Sequence, residues 1–346
     1  MANPAGPVSA VMDATWYGKK STTHTFAKTP ADYGMEFEDV TFPALDGVRI
    51  SAWYIPCASK ACHTLAIVGH QSWSEANRAG CVEHFKGGAL KVEAVDYVKL
   101  HRVLHDGGFH VLAYDLRNHG QSDHKLPSGY GEIEYRDAAG VMDFVNHHDT
   151  LKDCKVFLLP FCASGLSFLK ANSLYPDKFK NVIAWATTNL FQLKHMIGTM
   201  KLDASAVNPV FATKQAQYIE QGLLKANDPD VNFSVERISA TMYAKDVKVP
   251  VLFCDPINDP IDNHKVDAAE IFAEFGKTLR KKPANEFHCI GTDQPPPFKT
   301  IGDNRSEGFN FYQSEAGSKV LLEFFRKCAD SAGKTQPVSS QCCSCC

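Results

Sequence analysis

A doubly wound α/β fold around a mostly parallel sheet is predicted by three observations. Short β-branched runs bounded by Gly, Pro or Asp alternate with stretches of helical period. Two of the runs, Ala66-Ile67-Val68 and Val251-Leu252-Phe253, are apolar without interruption, as strands covered on both faces are. The chain has 346 residues and is 44% apolar, enough core for one large α/β domain or two ordinary ones.

Expected strands are Glu38–Pro43, Arg49–Ile55, Thr64–Gly69, His110–Asp115, Lys155–Phe161, Asn181–Thr187, Pro250–Asp255 and Glu286–Ile290. Expected helices are Val92–Asp106, Ile133–His147, Ser164–Leu174, Val266–Phe275 and Glu315–Ala329. The first two strands, joined by Leu45-Asp46-Gly47-Val48, read as an antiparallel edge hairpin. From Thr188 to Asp246 helical patterns take over, in Leu190–Met200, Val210–Leu224 and Val235–Met242. About sixty residues between two strands is far more than a connection needs. Residues 188–246 are therefore read as a helical cap inserted into an α/β core formed by 34–187 and 247–330. Residues 1–33 are a loosely held N-terminal extension, and 331–346 a disordered, Cys-rich tail.

A net charge of −3 with interspersed signs gives no footprint for nucleic acid. No run approaches the roughly 18 apolar residues of a membrane span, and Met1–Lys20 lacks the basic start and apolar run of a secretory signal. Eight of the twelve cysteines are scattered singly, which suits free thiols in a reducing, cytoplasmic compartment. Cys57 and Cys62 are too widely spaced for a zinc pair and no second pair matches them, so neither a metal site nor a cofactor is expected. The remaining four cysteines lie in Gln341-Cys342-Cys343-Ser344-Cys345-Cys346. A terminal Cys-Cys is one form of lipidation site, which would bring the chain to a membrane surface. The aliphatic pair of a prenylation box and a polybasic segment are both missing, so a plain tail is the favoured reading. The composition leaves the oligomeric state open.

Chemistry concentrates in Val156-Phe157-Leu158-Leu159-Pro160-Phe161-Cys162-Ala163-Ser164-Gly165, where an apolar strand runs through small residues into a helix. That is the setting of a nucleophile elbow, a strained turn that lifts one side chain above the sheet. The usual Gly-x-nucleophile-x-Gly is met only in part, with Pro160 at the first position and Gly165 one residue late. Cys162 holds the nucleophile position, and a thiol needs less activation than a hydroxyl. The plainer alternative is a buried cysteine at a strand end.

Three further segments carry a resemblance. Asp115-Leu116-Arg117-Asn118-His119-Gly120-Gln121-Ser122 resembles the Asp-x-Arg-x-His-Gly-x-Ser loop of α/β-hydrolases, and Val68-Gly69-His70-Gln71 stands where they place the first oxyanion-hole loop. Asp255-Pro256-Ile257-Asn258-Asp259-Pro260 resembles the turn that delivers the acid of their triad, at Asp259. The chain thus resembles the α/β-hydrolase superfamily from about Glu38 to Lys327, and its cysteine is similar to that of the dienelactone-hydrolase-like branch. The resemblance implies an α/β-hydrolase fold, Cys162 as nucleophile, Asp259 as acid, and an oxyanion hole from the N–H groups of Gln71 and Ala163.

The third triad member departs from the pattern. The histidine slot after the last strand falls on Gln294, within Gly291-Thr292-Asp293-Gln294, or in a later register on Gly308 of Glu307-Gly308-Phe309-Asn310-Phe311-Tyr312. Neither residue takes a proton near neutral pH. His288, inside the last strand, is the substitute base considered, against the commoner role of a core histidine; His70 is placed at the substrate, against a role bracing its loop. His119 is expected to fix its own turn, and His147 and His148 to sit at a helix end. Trp73, His70, Asp293, Gln294 and Asn310 are the expected pocket residues, with Leu190–Met200 supplying apolar walls.

Three functions remain open at this stage. The first is an enzyme acting on a small acyl, ester or lactone substrate through Cys162. The second is a lyase, isomerase, cyclase or acyl transferase on the same fold, and the third a ligand-binding, receptor-like protein without turnover.

Overall fold

The computed structural model describes residues 26–59, 61–72, 76–81, 94–125, 128–195, 238–256, 267–277, 279, 283–290 and 306–334. Its strands are β1 (Glu38–Pro43), β2 (Arg49–Ile55), β3 (Thr64–Gly69), β4 (Gly80–Cys81), β5 (Val95–Asp96), β6 (His110–Tyr114), β7 (Lys155–Pro160), β8 (Val182–Thr187), β9 (Val251–Pro256) and β10 (Glu286–Ile290). Its helices are α1 (Tyr97–Asp106), α2 (Tyr135–His147), α3 (Ala163–Leu174), α4 (Thr241–Ala244), α5 (Asp267–Glu274), α6 (Ser306–Phe311) and α7 (Glu315–Lys334).

Eight strands form one sheet in the order β1-β2-β6-β3-β7-β8-β9-β10. β1 and β2 are the antiparallel edge hairpin, and β2 joins β6 antiparallel. Every other pairing in this sheet is parallel. Central strands β6, β7 and β9 bury nearly every side chain, because helices cover both faces and polar alternation has no solvent to face. Edge strand β1 is the contrast, with Phe42 its single buried side chain.

The departures from expectation have local causes. The helix foreseen from Val92 begins at Tyr97, since Val95 and Asp96 pair with Cys81 and Gly80 in a two-residue ribbon. The Asp96 carboxylate then caps α1 by accepting from Lys99 N at 3.2 Å. A ribbon this short leaves no periodic signal in the sequence. α7 continues to Lys334, so the first residues of the expected tail are helical. α6, which carries Glu307-Gly308-Phe309-Asn310-Phe311, is not among the expected helices.

The described part of the N-terminal extension is held rather than loose. Phe26 packs edge-on against Trp53 with ring centroids 4.5 Å apart, and the Arg78 guanidinium lies over both rings, at 4.4 and 4.6 Å. Most of the expected cap, residues 196–237, lies outside the described residues. Its two roots meet in a bridge between Gln192 and Ser239. No helix among the described residues is long and apolar enough to cross a membrane.

Candidate active site

The elbow has the geometry that its sequence predicts. Cys162 follows β7 by two residues and is the N-cap of α3, with φ 52° and ψ −116°. That region is costly for any residue with a β-carbon, so the surrounding structure must impose it. Three contacts do so. Ser164 Oγ accepts from Phe161 N at 3.0 Å and donates to Phe161 O at 2.9 Å, lacing the turn. Thr187 Oγ1 donates to Pro160 O at 2.7 Å. Cys162 N donates to Thr188 O at 3.2 Å, tying the elbow to the end of β8.

Small residues are needed where the chain crowds itself. A β-carbon on Gly69 would come within 2.7 Å of Ser164 Oγ, and one on Gly165 within 2.3 Å of Leu190 Cδ2. Gly165 therefore lets the root of the inserted segment rest on the first turn of α3. Phe161 is stacked between Tyr97, at 5.5 Å, and Tyr312, at 5.9 Å, beneath the elbow. Tyr312 is itself locked in place by donating to Thr187 O at 2.8 Å.

The loop expected to supply an oxyanion hole leaves β3 beside the elbow. Gly69 pairs with Pro160, so Gln71 and Cys162 each lie two residues beyond a matched pair on adjacent strands. Ala163 N is the first amide of α3, a donor with no partner inside the helix. The Gln71 side chain accepts from Tyr97 hydroxyl at 2.5 Å and donates to Cys81 Sγ at 3.4 Å. Burial, and then the nearby Cys81 and Cys162 sulfurs, push the Tyr97 phenol well above its ordinary value, so it stays protonated and donates.

His70 braces this loop instead of facing a substrate. It is buried, its Nε2 accepts from Leu116 N at 3.0 Å, and its Nδ1 donates to Gln71 O at 2.7 Å. Both ring nitrogens are thereby used in the neutral form. Burial, followed by the neighbouring His119, depresses its pKa well below the ordinary value. These contacts match the bracing role weighed for His70 in the sequence. His119 fixes its own turn as expected, with Nδ1 2.8 Å from Arg117 O.

Buried ion pairs anchor the loop that follows β6. Asp115 accepts from Arg78 Nη1 at 2.6 Å, Arg78 N at 2.7 Å and Gln121 N at 2.9 Å. Arg117 Nε donates to Asp137 Oδ1 at 2.7 Å, and Arg117 Nη2 to Asp46 Oδ1 at 2.8 Å. This motif therefore acts as a rigid support for the crevice.

The structure does not bring His288 to Cys162. β10 is the outermost strand, three places from β7, a lateral separation of roughly 14 Å at the usual strand spacing. His288 Nε2 lies 3.6 Å from Glu286 Oε2, and Glu286 Oε1 accepts from Lys327 Nζ of α7 at 2.7 Å. Asn310, expected to face the pocket, donates instead to Ala94 O at 3.1 Å. Asp259, Trp73, Asp293 and Gln294 lie outside the described residues.

Sequence reasoning missed two polar groups at this end of the sheet. Asp255, buried at the end of β9, accepts from Asn189 N at 3.1 Å, and Asn189 has φ 51°. His195 Nδ1 lies 2.6 Å from buried Asp267 Oδ1, and Gln192 Nε2 donates to the same oxygen at 3.0 Å. This knot fastens the root of the inserted segment to α5. Asp255 is visible in the sequence as a carboxylate ending an apolar strand, whereas nothing local announces the His195–Asp267 pair.

Strand order, elbow and inserted segment together make this an α/β-hydrolase fold. A family model described as alpha/beta hydrolase fold matches residues 92–225. Among solved structures, an esterase of Pyrococcus furiosus is 17% identical, with 88% of this chain and 97% of that one covered and a TM-score of 0.58. Acetyl xylan esterase 1 from Thermoanaerobacterium sp. JW/SL YS485 is 15% identical over 94% of each chain, with a TM-score of 0.53. An α/β-hydrolase from Penicillium sp. sh18 is 14% identical, with 85% of this chain and 99% of that one covered and a TM-score of 0.52. At such identities the likeness is one of fold. No curated protein sequence matches the chain.

Proposed function

We propose that the protein is an α/β-hydrolase-fold enzyme that moves the acyl group of a small ester, thioester or lactone onto the sulfur of Cys162. The observation that carries this reading is the backbone of Cys162, held at φ 52° and ψ −116° on the first turn of α3. Strained non-glycine backbone clusters at active sites, and a sharp strand-to-helix turn is where this fold presents a nucleophile.

In this reading the Cys162 thiolate attacks the carbonyl carbon, and the N–H groups of Ala163 and Gln71 receive the oxyanion. The amino end of α3 favours the anionic sulfur and the anionic intermediate alike. The leaving alkoxide or thiolate takes a proton and departs, which leaves a thioester on Cys162. Water or a second acceptor then releases the acyl group. Asp259, three residues beyond β9 in the sequence and outside the described residues, is the proposed acid member. His288 has no part in this scheme, given its place beside Glu286. The esterases among the structural neighbours agree with ester chemistry.

The test is intact-mass spectrometry after incubation with an activated ester such as p-nitrophenyl acetate. A gain of one acyl group that maps to Cys162, absent from Cys162→Ala, is expected. Undiminished ester hydrolysis by Cys162→Ala overturns the reading.

A further inference from the structure

A second group of thiols lies at the opposite end of the sheet from Cys162. Cys57 follows β2, Cys62 precedes β3, and His110 is the first residue of β6. Since β3 and β6 run parallel from Thr64 and His110, these residues gather where the parallel strands begin, whereas Cys162 lies where they end.

The contacts within the group are specific. Cys57 N donates to His110 Nδ1 at 3.1 Å, and Tyr54 hydroxyl lies 3.0 Å from the same nitrogen. With Nδ1 accepting, the ring proton of a neutral His110 rests on Nε2. His110 also interacts with the Cys62 thiol, and the Cys57 and Cys62 side chains interact with each other. The Cys62 thiol is placed to donate to Gly108 O at 3.1 Å or Thr64 O at 3.4 Å, and its sulfur lies 3.5 Å from Thr64 Oγ1. Both cysteines are half-buried.

Burial pushes the Cys62 thiol up, but the His110 and Thr64 side chains outweigh it and hold the thiol at about 6. Burial pushes Cys57 up, so the two thiols are unequal. Nearby Cys154, raised to about 11 by burial, is a thiol of ordinary inertness in the same region. Among the described residues no three His, Cys, Asp or Glu side chains converge to hold a metal ion.

We propose that Cys62 and Cys57 are a reversible redox pair, in which a hydroperoxide oxidises Cys62 and Cys57 closes the disulfide. The Cys62 thiolate attacks one peroxide oxygen, the O–O bond breaks, and the other oxygen leaves as water or alcohol after taking a proton. Cys62 becomes a sulfenic acid. The Cys57 sulfur then attacks the Cys62 sulfur, the S–S bond forms, and the sulfenic oxygen leaves as water with the Cys57 proton. Two electrons pass from the thiols to the hydroperoxide, and a dithiol reductant returns them. The arrangement offers what a redox pair needs, a half-buried thiol whose ionisation is eased by the His110 side chain, beside a second thiol that can close the bond. It stands independently of what Cys162 does.

The experiment treats the full chain with limiting hydrogen peroxide at neutral pH and maps thiols under non-reducing conditions. A Cys57–Cys62 cross-linked peptide that dithiothreitol reverses is the expected result. Cys57→Ser should stop at a Cys62 sulfenic acid that dimedone traps, and Cys62→Ser should leave Cys57 unmodified. Iodoacetamide should label Cys62 more than ~10-fold faster than Cys154 at pH 7, with the advantage reduced in His110→Phe. Oxidation of Cys62 no faster than that of Cys154, or a sulfenic acid that persists in the unmutated protein, overturns the proposal.

Discussion

Gly308 lies so close to Asn189 that a β-carbon at position 308 would fall 1.9 Å from Asn189 Oδ1 and 2.5 Å from Thr188 Oγ1. Position 308 is one of two registers into which the superfamily's histidine would fall. In this chain the space is filled by the buried side chains of Asn189 and Thr188, the latter's carbonyl accepting from Cys162 N. Gly308→Ala is therefore expected to cost about 1–3 kcal/mol by overpacking. Asn189→Gly in the same chain should recover part of that cost, which a double-mutant cycle by urea unfolding measures. Additive effects would show that the two residues are not coupled.

His70 is expected to act as a positioning residue. His70→Leu leaves Gln71 O and Leu116 N without their buried partner, at about 1–3 kcal/mol for each group left unsatisfied. The rate of acyl transfer to Cys162 should fall along with stability, because the loop that carries the Gln71 N–H loses its ties at Gln71 O and Leu116 N. Stopped-flow acylation under fully folded conditions separates the two effects. An unchanged rate would remove His70 from the oxyanion loop's support.

Arg117 joins Asp137 and Asp46 in a buried ion-pair network, with the Arg117 side chain 1% exposed and that of Asp137 fully buried. Arg117→Met should cost about 3–5 kcal/mol, since it strands buried carboxylate charge. Arg117→Met combined with Asp137→Leu should be more stable than Arg117→Met alone, because the uncompensated charge is then gone. Thermal unfolding at neutral pH checks both expectations.

His101 gives a pH dependence with a definite sign. It is fully buried against Trp53, and neither ring nitrogen has a partner among the described residues. Burial lowers its pKa from 6.5 to about 3. Between those values the unfolded chain holds a proton there that the folded chain does not. Stability therefore falls as pH drops through this window, by up to about 1.4 kcal/mol per pH unit for one proton. His101→Phe should remove that contribution and unfold at a lower pH than the unmutated protein, as measured by urea midpoints from pH 7 to pH 4.

The strand pattern was legible because it is local. β1, β2, β3 and β10 begin and end where the apolar runs and turn residues place them. The elbow was legible for the same reason, as an apolar strand, small residues and a helix start lie within ten consecutive positions. Its contacts were not. That Thr188 receives the Cys162 amide depends on β8 lying next to β7, and that His70 spans Gln71 and Leu116 depends on β6 lying next to β3. His288 shows the limit from the other side, since its position in sequence gives no sign that β10 is the outer edge of the sheet.

The amino-acid sequence by itself determined the fold class, the order of the elements and the residue at the elbow, because period, turn chemistry and steric crowding act over a few residues. Only the tertiary structure decided which groups meet: Gly308 against Asn189, His70 between Gln71 and Leu116, His110 beside Cys62. Those meetings follow from strand order and from the crossovers between strands. Residues distant in the chain become neighbours only when the sheet closes, and no local pattern records which ones.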